Sequence, residues 1–75
     1  MADWKKYIEW NPQKLFGKPV IKGTRIPVDL LLEKLAKGES MESLFEAYPG
    51  LTKDALQAVF AYAADAVRHE LVYKI

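Results

Sequence analysis

The sequence contains no cysteine and only one histidine among its 75 residues. Disulfide frameworks and thiolate zinc sites are therefore excluded, and a metal site on one histidine would have to recruit scattered carboxylates. No apolar stretch follows the first six residues, and the longest apolar run, 58–64, is too short to cross a bilayer. We therefore predict a cytoplasmic protein that has no metal site and does not associate with a membrane.

At this length the chain can form one domain, which we predict to span residues 1–75. Within it, a β and loop segment is expected at 1–26 and a helical bundle at 27–70. A chain of this size buries only about 60–65% of its unfolded surface. Because neither disulfides nor metal can compensate, we expect a second chain to add stability, most simply as a homodimer.

The charge of the chain is balanced overall but unevenly distributed. Eleven basic and 10 acidic residues give a net charge of +1, which is weak support for nucleic-acid binding. However, the first 25 residues contain six Lys or Arg and only two acidic residues. This asymmetry predicts a basic end that faces DNA, RNA or an acidic partner.

Two short strands are predicted near the N-terminus, at residues 7–10 and 19–22, after a loose polar start at 1–6. Asn11-Pro12-Gln13 and Gly17-Lys18-Pro19 supply turn residues between them. Residues 71–75 alternate weakly, so we expect either a further strand of this sheet or a frayed end.

The bounds of the first two helices are predicted from residues that typically begin or end a helix. The first is predicted over 27–37, with Pro27 in its first turn and Gly38 as its stop. The second begins after an N-capping Ser40 and ends before Pro49. Helical spacing predicts that their buried faces consist of Val28, Leu31, Leu32 and Leu35, and of Met41, Leu44, Phe45 and Tyr48.

The third helix, predicted over 53–70 with Thr52 as its cap, is the most apolar part of the chain. Its polar residues form one narrow stripe, and Leu56, Val59, Phe60, Ala63 and Val67 lie opposite. This apolar arc is wider than two short helices can cover. Either this is a central core helix, or part of the arc binds a second copy or another partner.

The second and third helices, joined by a short turn containing Gly50, form a helix-turn-helix arrangement. In its DNA-binding form, the N-terminal residues of the second helix of the pair enter the major groove. Here these are Thr52, Lys53 and Gln57, of which Gln can read adenine while Thr and Lys can hold phosphate. Asp54 would be repelled by phosphate. The alternative is a purely structural helical hairpin.

Three further residues are candidates for binding a partner protein. Arg25 either pairs its planar guanidinium with a phosphate or carboxylate, or bonds to local carbonyls. Trp10, in an N-terminal segment rich in aromatic residues, either covers the small core or anchors a contact. Tyr62, on the flank of the apolar arc, is the third candidate.

Catalysis is not predicted. His69, near the end of the third helix, has no nucleophile or orienting carboxylate placed beside it, and its position is typical of a histidine near a helix C-terminus. The stretch 17–24 contains Gly and Lys but lacks the spacing of a phosphate-binding loop. We therefore expect no catalytic residues and no cofactor.

One stretch of the sequence is distinctive enough to be compared with the signatures of known protein families. Residues 17–28, GKPVIKGTRIPV, resemble the signature of the bacterial domain-of-unknown-function family numbered 433. LAKGES at 35–40, YPGLT at 48–52 and ALQAVFAYA at 55–63 follow in the order and spacing of that family. The resemblance covers about residues 8–67 and leaves the tail after Arg68 outside it.

This resemblance implies a mainly α fold: a three-helix helix-turn-helix bundle, homeodomain-like or winged-helix-like, with a small N-terminal β element. Family members resemble VapB-type antitoxins, and many are proposed partners of a PIN-like nuclease toxin encoded beside them. The implied function is therefore that of an antitoxin in a type II toxin–antitoxin system, which neutralises the toxin and represses its own operon through operator DNA. The alternatives are a stand-alone helix-turn-helix transcriptional regulator and an interaction module that does not bind DNA.

Overall fold

The computed structural model describes residues 3–13 and 17–74, with the side chains of 70–74 left out of the description. Within these residues, a short 3-10 helix, Trp4–Lys6, precedes two strands and three α-helices. The strands are β1, Ile8–Trp10, and β2, Pro19–Ile21; the helices are α1, Val28–Ala36, α2, Met41–Ala47, and α3, Lys53–Lys74. The predicted mainly helical fold with a small N-terminal β element is confirmed.

The β element is an antiparallel pair whose buried face points into the core. Ile8 lies opposite Ile21, and Trp10 lies opposite Pro19. Both isoleucines are buried, because alternate residues of a strand face the same side of a sheet. Both predicted strands are confirmed within one residue at each end. Residues 4–6 of the polar start, predicted to be loose, instead form the 3-10 turn, in which the Lys5 N–H donates to the Asp3 carboxylate; residues 1–2 lie outside the described part of the chain.

The loop between β2 and α1 is held by its own side chains. Gly23 adopts a positive φ of 79°, and its N–H donates to the Glu9 carboxylate at 2.9 Å. The Thr24 hydroxyl donates to the Ile21 carbonyl at 2.7 Å and accepts from the Ile26 N–H at 3.0 Å. These bonds give the loop a single shape.

Pro27 does not lie in the first turn of α1, as the sequence predicted, but is the extended residue just before it, with ψ of 137°. The reason is a β-bridge between Pro27 and Val20, which holds the proline in the β conformation. Val28 and Leu31 then bury one face of α1. Gly38 takes a φ of 94° directly after the C-cap, as predicted for a helix stop.

The Ser40 cap of α2 is confirmed, since its hydroxyl accepts from the Ser43 N–H at 3.1 Å. Leu44 is fully buried, and Phe45 and Tyr48 are partly buried against the core. Met41 is 47% exposed, so its predicted burial is wrong. It is the first residue of α2, where its side chain lines an open groove towards α3 instead of entering the core.

The cap of α3 is confirmed as well, because the Thr52 hydroxyl accepts from the Ala55 N–H at 3.1 Å. The helix continues to Lys74, so the strand offered as one alternative for the tail is wrong over residues 71–74, and Ile75 lies outside the described residues. Residues 71–74 contain no Gly or Pro, and extending an existing helix by one residue costs less than nucleating new structure.

The two halves of α3 lie in different surroundings. Its 22 residues extend about 33 Å at 1.5 Å per residue, whereas two of the molecule's three dimensions are 30 and 24 Å. Leu56, Ala58 and Val59 are buried in the core, but Phe60 is 40% and Val67 is 55% exposed. The first half is therefore the predicted core helix, with Phe60 at its partly exposed edge, and the second half presents Val67 to solvent.

Candidate functional site

An aromatic cluster forms where the N-terminal segment crosses the middle of α3. We define it as Trp4 from the 3-10 helix, Trp10 from β1 and Tyr62 from α3. The three ring centroids are 5.1 to 5.7 Å apart, and every pair meets edge to face. This is the preferred geometry of aromatic pairs, worth about 0.5–1.5 kcal/mol each beyond the burial of area.

A hydrogen bond fixes this cluster to α3. The indole N–H of Trp4 donates to Asp65 at 2.8 Å, one turn beyond Tyr62. The second oxygen of Asp65 accepts from the Arg68 guanidinium at 3.1 Å. Asp65 therefore has partners for both of its oxygens, and Trp4 is held in one orientation.

The exposed member of the aromatic cluster is Trp10, at 48%. Trp4 and Tyr62 are half-buried. Because the three rings touch one another, no space remains between them for a cation, and an aromatic cage of that kind is excluded. What the cluster offers is the face and edge of a fixed indole, which is the type of residue that dominates binding at protein interfaces.

The structure thus brings together Trp10 and Tyr62, two of the three residues proposed for partner binding. Arg25 takes no part in the ring contacts; it lies exposed in the loop after β2. Sequence reasoning treated Trp4, like Trp10 and Tyr7, as either a cover for the core or a contact anchor, but selected neither Trp4 nor Asp65 as a site residue. The one local signal was the spacing of Asp65 and Arg68, which suits an ion pair on a helix.

The predicted DNA-reading residues lie exposed at the start of α3, but they border two different depressions. Thr52 borders one of about 300 Å³, together with Lys6, Tyr7, Ile21, Lys22, Gly50 and Ala55. Lys53 and Gln57 border one of about 280 Å³ between α2 and α3, together with Met41, Phe45, Leu56 and Phe60. The first depression contains two lysines that sequence reasoning did not select, and the second is mainly apolar.

Neither a metal centre nor a membrane span is found in the described part of the chain. Among the described side chains, those of residues 3–13 and 17–69, no three His, Asp or Glu are grouped as metal ligands. No helix in these same ranges is long and apolar enough to cross a bilayer. His69 is exposed on α3.

The model of a family described as "Protein of unknown function (DUF433)" matches residues 8–63. The chain belongs to the DUF433 family. The matched region contains β1, β2, α1, α2 and the first half of α3, so the family pattern coincides with the packed core.

Two proteins resemble this chain, one in sequence and one in both sequence and structure. An uncharacterized protein, y4eO, of Sinorhizobium fredii is 33% identical over 63 residues; these are 84% of this chain but 28% of that protein. The crystal structure of a DUF433 member protein from Anabaena variabilis matches with a TM-score of 0.77 and 32% identity, covering 84% of this chain and 62% of that one. The chain therefore spans less than a third of the length of the first relative and under two thirds of the second.

Proposed function

We propose that this DUF433 domain is the antitoxin-like component of a bacterial type II toxin–antitoxin system. In this role it binds and neutralises a PIN-like nuclease toxin in the cytoplasm and performs no catalysis itself. The observation that supports the proposal is the aromatic cluster, in which a half-exposed Trp10 is held by Trp4 and Tyr62.

A fixed indole at the surface suits protein recognition for two reasons. Trp10 is already ordered by its ring contacts, so binding costs little additional side-chain entropy. Covering its exposed half also removes apolar area from water, at roughly 25 cal/mol per Å². Tryptophans in such positions are typical interface hot spots, with losses of about 2 kcal/mol or more on truncation.

Arg25 adds a charge suited to this partner. A PIN-type active site holds a divalent metal in a cluster of carboxylates, which attracts a cation. Among the described residues, Arg25 forms no ion pair. Its guanidinium is therefore available for a bidentate contact with a carboxylate.

The test is affinity purification of the tagged chain from its native cells, followed by mass spectrometry and a nuclease assay of the recovered partner. We expect a stoichiometric small nuclease whose activity the chain suppresses. Trp10→Ala should weaken its recovery at least tenfold, which corresponds to about 1.4 kcal/mol. Met41→Ala is the matched control, because Met41 is equally exposed at 47% but lies on α2. Recovery of no protein partner, or equal recovery with both variants, contradicts the proposal.

A second candidate is a DNA-binding regulator, either as part of the antitoxin or alone. It is favoured by the exposure of Thr52, Lys53 and Gln57 at the start of α3, directly after the turn that joins it to α2. Such a domain needs to dimerise, since one helix contacts too few bases for specificity. The Lys53→Ala/Gln57→Ala double variant should lose binding to its own promoter, while Glu46→Ala on α2 should keep it. Intact promoter binding by the double variant rules out this docking mode.

The third candidate is an interaction module that does not contact DNA. The groove between α2 and α3 favours it, because Met41, Phe45 and Phe60 make most of its lining apolar. Light scattering tests the associated homodimer, and a monomer at all concentrations would contradict it.

A further inference from the structure

Four of the described cations have a carboxylate partner. Lys18, Lys34, Lys37 and Arg68 each lie within 3.1 to 3.5 Å of a carboxylate. Three of these four pairs involve α1 or the residues next to it, and the fourth is the Asp65–Arg68 pair on α3. These charges are neutralised within the molecule.

Five described cations have no carboxylate within ion-pair distance: Lys5, Lys6, Lys22, Arg25 and Lys53. Three of them, Lys6, Lys22 and Lys53, lie near the start of α3. Lys6 and Lys22 line the same depression as Thr52, and Lys53 is the next residue along the chain. All three side chains are exposed.

Backbone contacts determine this placement. The Lys22 N–H donates to the Tyr7 carbonyl at 2.8 Å. Because Tyr7 directly follows Lys6, this bond brings Lys22 close to Lys6. The loop that follows Lys22 lies against the turn before α3. This contact is close: a Cβ added at Gly50 would be only 3.4 Å from the Thr24 methyl. The fold thus brings Lys6 and Lys22 to one depression, and Lys53 follows Thr52 of that depression but borders the neighbouring groove between α2 and α3.

The Glu9 carboxylate lies near Lys22 through its bond to the Gly23 N–H, but it forms no ion pair with the three lysines. Exposed cations without an ion-pair partner create a positive potential that attracts an anion. Asp54 is the carboxylate in the first turn of α3, but it lines neither depression. Lysine is depleted from the core of protein–protein interfaces, whereas it is a common binder of phosphate. A polyphosphate backbone is therefore the favoured ligand.

We propose that Lys6, Lys22 and Lys53 form a contact surface for the phosphate backbone of duplex DNA. The N-terminal β element then contributes to DNA binding together with the helix-turn-helix. The proposal rests on the DNA-binding candidate described above and adds to it two residues outside the helix pair.

The test is a titration of a labelled random-sequence duplex of about two helical turns with the full chain, followed by fluorescence anisotropy at several salt concentrations. Each phosphate contact contributes about −0.9 to the slope of log affinity against log salt, so three contacts give about −2.7. The Lys6→Ala/Lys22→Ala variant should reduce this slope to about −0.9. Lys34→Ala/Lys37→Ala removes the same charge from paired positions and should leave the slope unchanged.

Several results would overturn the proposal. If the wild-type chain shows no salt-dependent binding, both the DNA-binding candidate and this surface are wrong. If the wild type binds and Lys6→Ala/Lys22→Ala keeps the full slope, the surface alone is wrong. Equal changes in the two double variants would mean that net charge, and not this surface, determines binding. Circular dichroism of each variant confirms that exposed-lysine substitution leaves the fold intact.

Discussion

The indole N–H of Trp4 donates to the carboxylate of Asp65 at 2.8 Å, although 61 positions separate the two residues. This bond joins the beginning of the described chain to the second half of α3. It is partly buried, and the acceptor is charged, so it belongs to the stronger class of side-chain hydrogen bonds.

We expect Trp4→Phe to lower the free energy of unfolding by roughly 1–2 kcal/mol, because it leaves Asp65 without one of its two donors. Urea unfolding followed by circular dichroism measures this loss. Trp10→Phe is the control: its ring contacts change in the same way, but the Trp10 indole makes no hydrogen bond within the described residues. Equal losses for the two variants would show that the Trp4–Asp65 bond adds no stability.

The different burial of two apolar side chains on α2 predicts that their substitution by alanine lowers the free energy of unfolding by very different amounts. Leu44 is completely buried and Met41 is 47% exposed. Leu44→Ala should cost about 2–5 kcal/mol through lost burial and the cavity that remains, which is a large share of the stability of a domain this small. Met41→Ala should cost less than about 1 kcal/mol. A similar melting temperature for both variants would contradict the observed orientation of α2.

The cap of α3 can be tested with two substitutions at one position. Thr52→Ala removes the hydroxyl that accepts from the Ala55 N–H and should cost about 1 kcal/mol. Thr52→Ser keeps an accepting hydroxyl and should remain close to the wild type. The midpoint of thermal unfolding distinguishes them, and a serine variant as unstable as the alanine variant would argue against the cap.

Alanine substitutions at two glycines distinguish the effect of backbone strain from that of steric contact. Gly38 has a φ of 94° and open space around an added Cβ, so Gly38→Ala should destabilise by about 1 kcal/mol through the left-handed conformation alone. Gly50 has no positive φ, and an added Cβ would lie 3.4 Å from the Thr24 methyl. Gly50→Ala should therefore change the urea midpoint less. The reverse order would contradict the assigned backbone conformations.

Features encoded by a few neighbouring residues could be predicted from the sequence. Ser40, Thr52 and Gly38 identify helix ends because capping depends on one side chain and the next turn. The two strands were found for the same reason. Pro27 and Met41 were placed incorrectly, since the position of each depends on a tertiary neighbour: Val20 for the proline and the open groove for the methionine.

The candidate sites depend still more on long-range contacts. Sequence reasoning named Trp10 and Tyr62 as candidates for partner binding, with burial against the core as the alternative for Trp10, but only the crossing of the N-terminal segment over α3 shows that they touch. Likewise, the basic first third of the sequence was evident, whereas the separation of paired from unpaired lysines required the folded positions of Lys6 and Lys22.

The packing of β1 and β2 against α3 also determines when the domain can fold during synthesis. Chains emerge from the ribosome N-terminus first, so Ile8 and Ile21 are made well before Leu56 and Val59, with which they share the core. Until then the strand pair can pack only on the apolar faces of α1 and α2, which supply Val28, Leu31 and Leu44 to the same core, and a strand pair with so little cover is at best marginally stable. Folding of this domain must therefore await most of its chain, and a stalled nascent chain that ends before α3 would expose its first strands to proteases and chaperones.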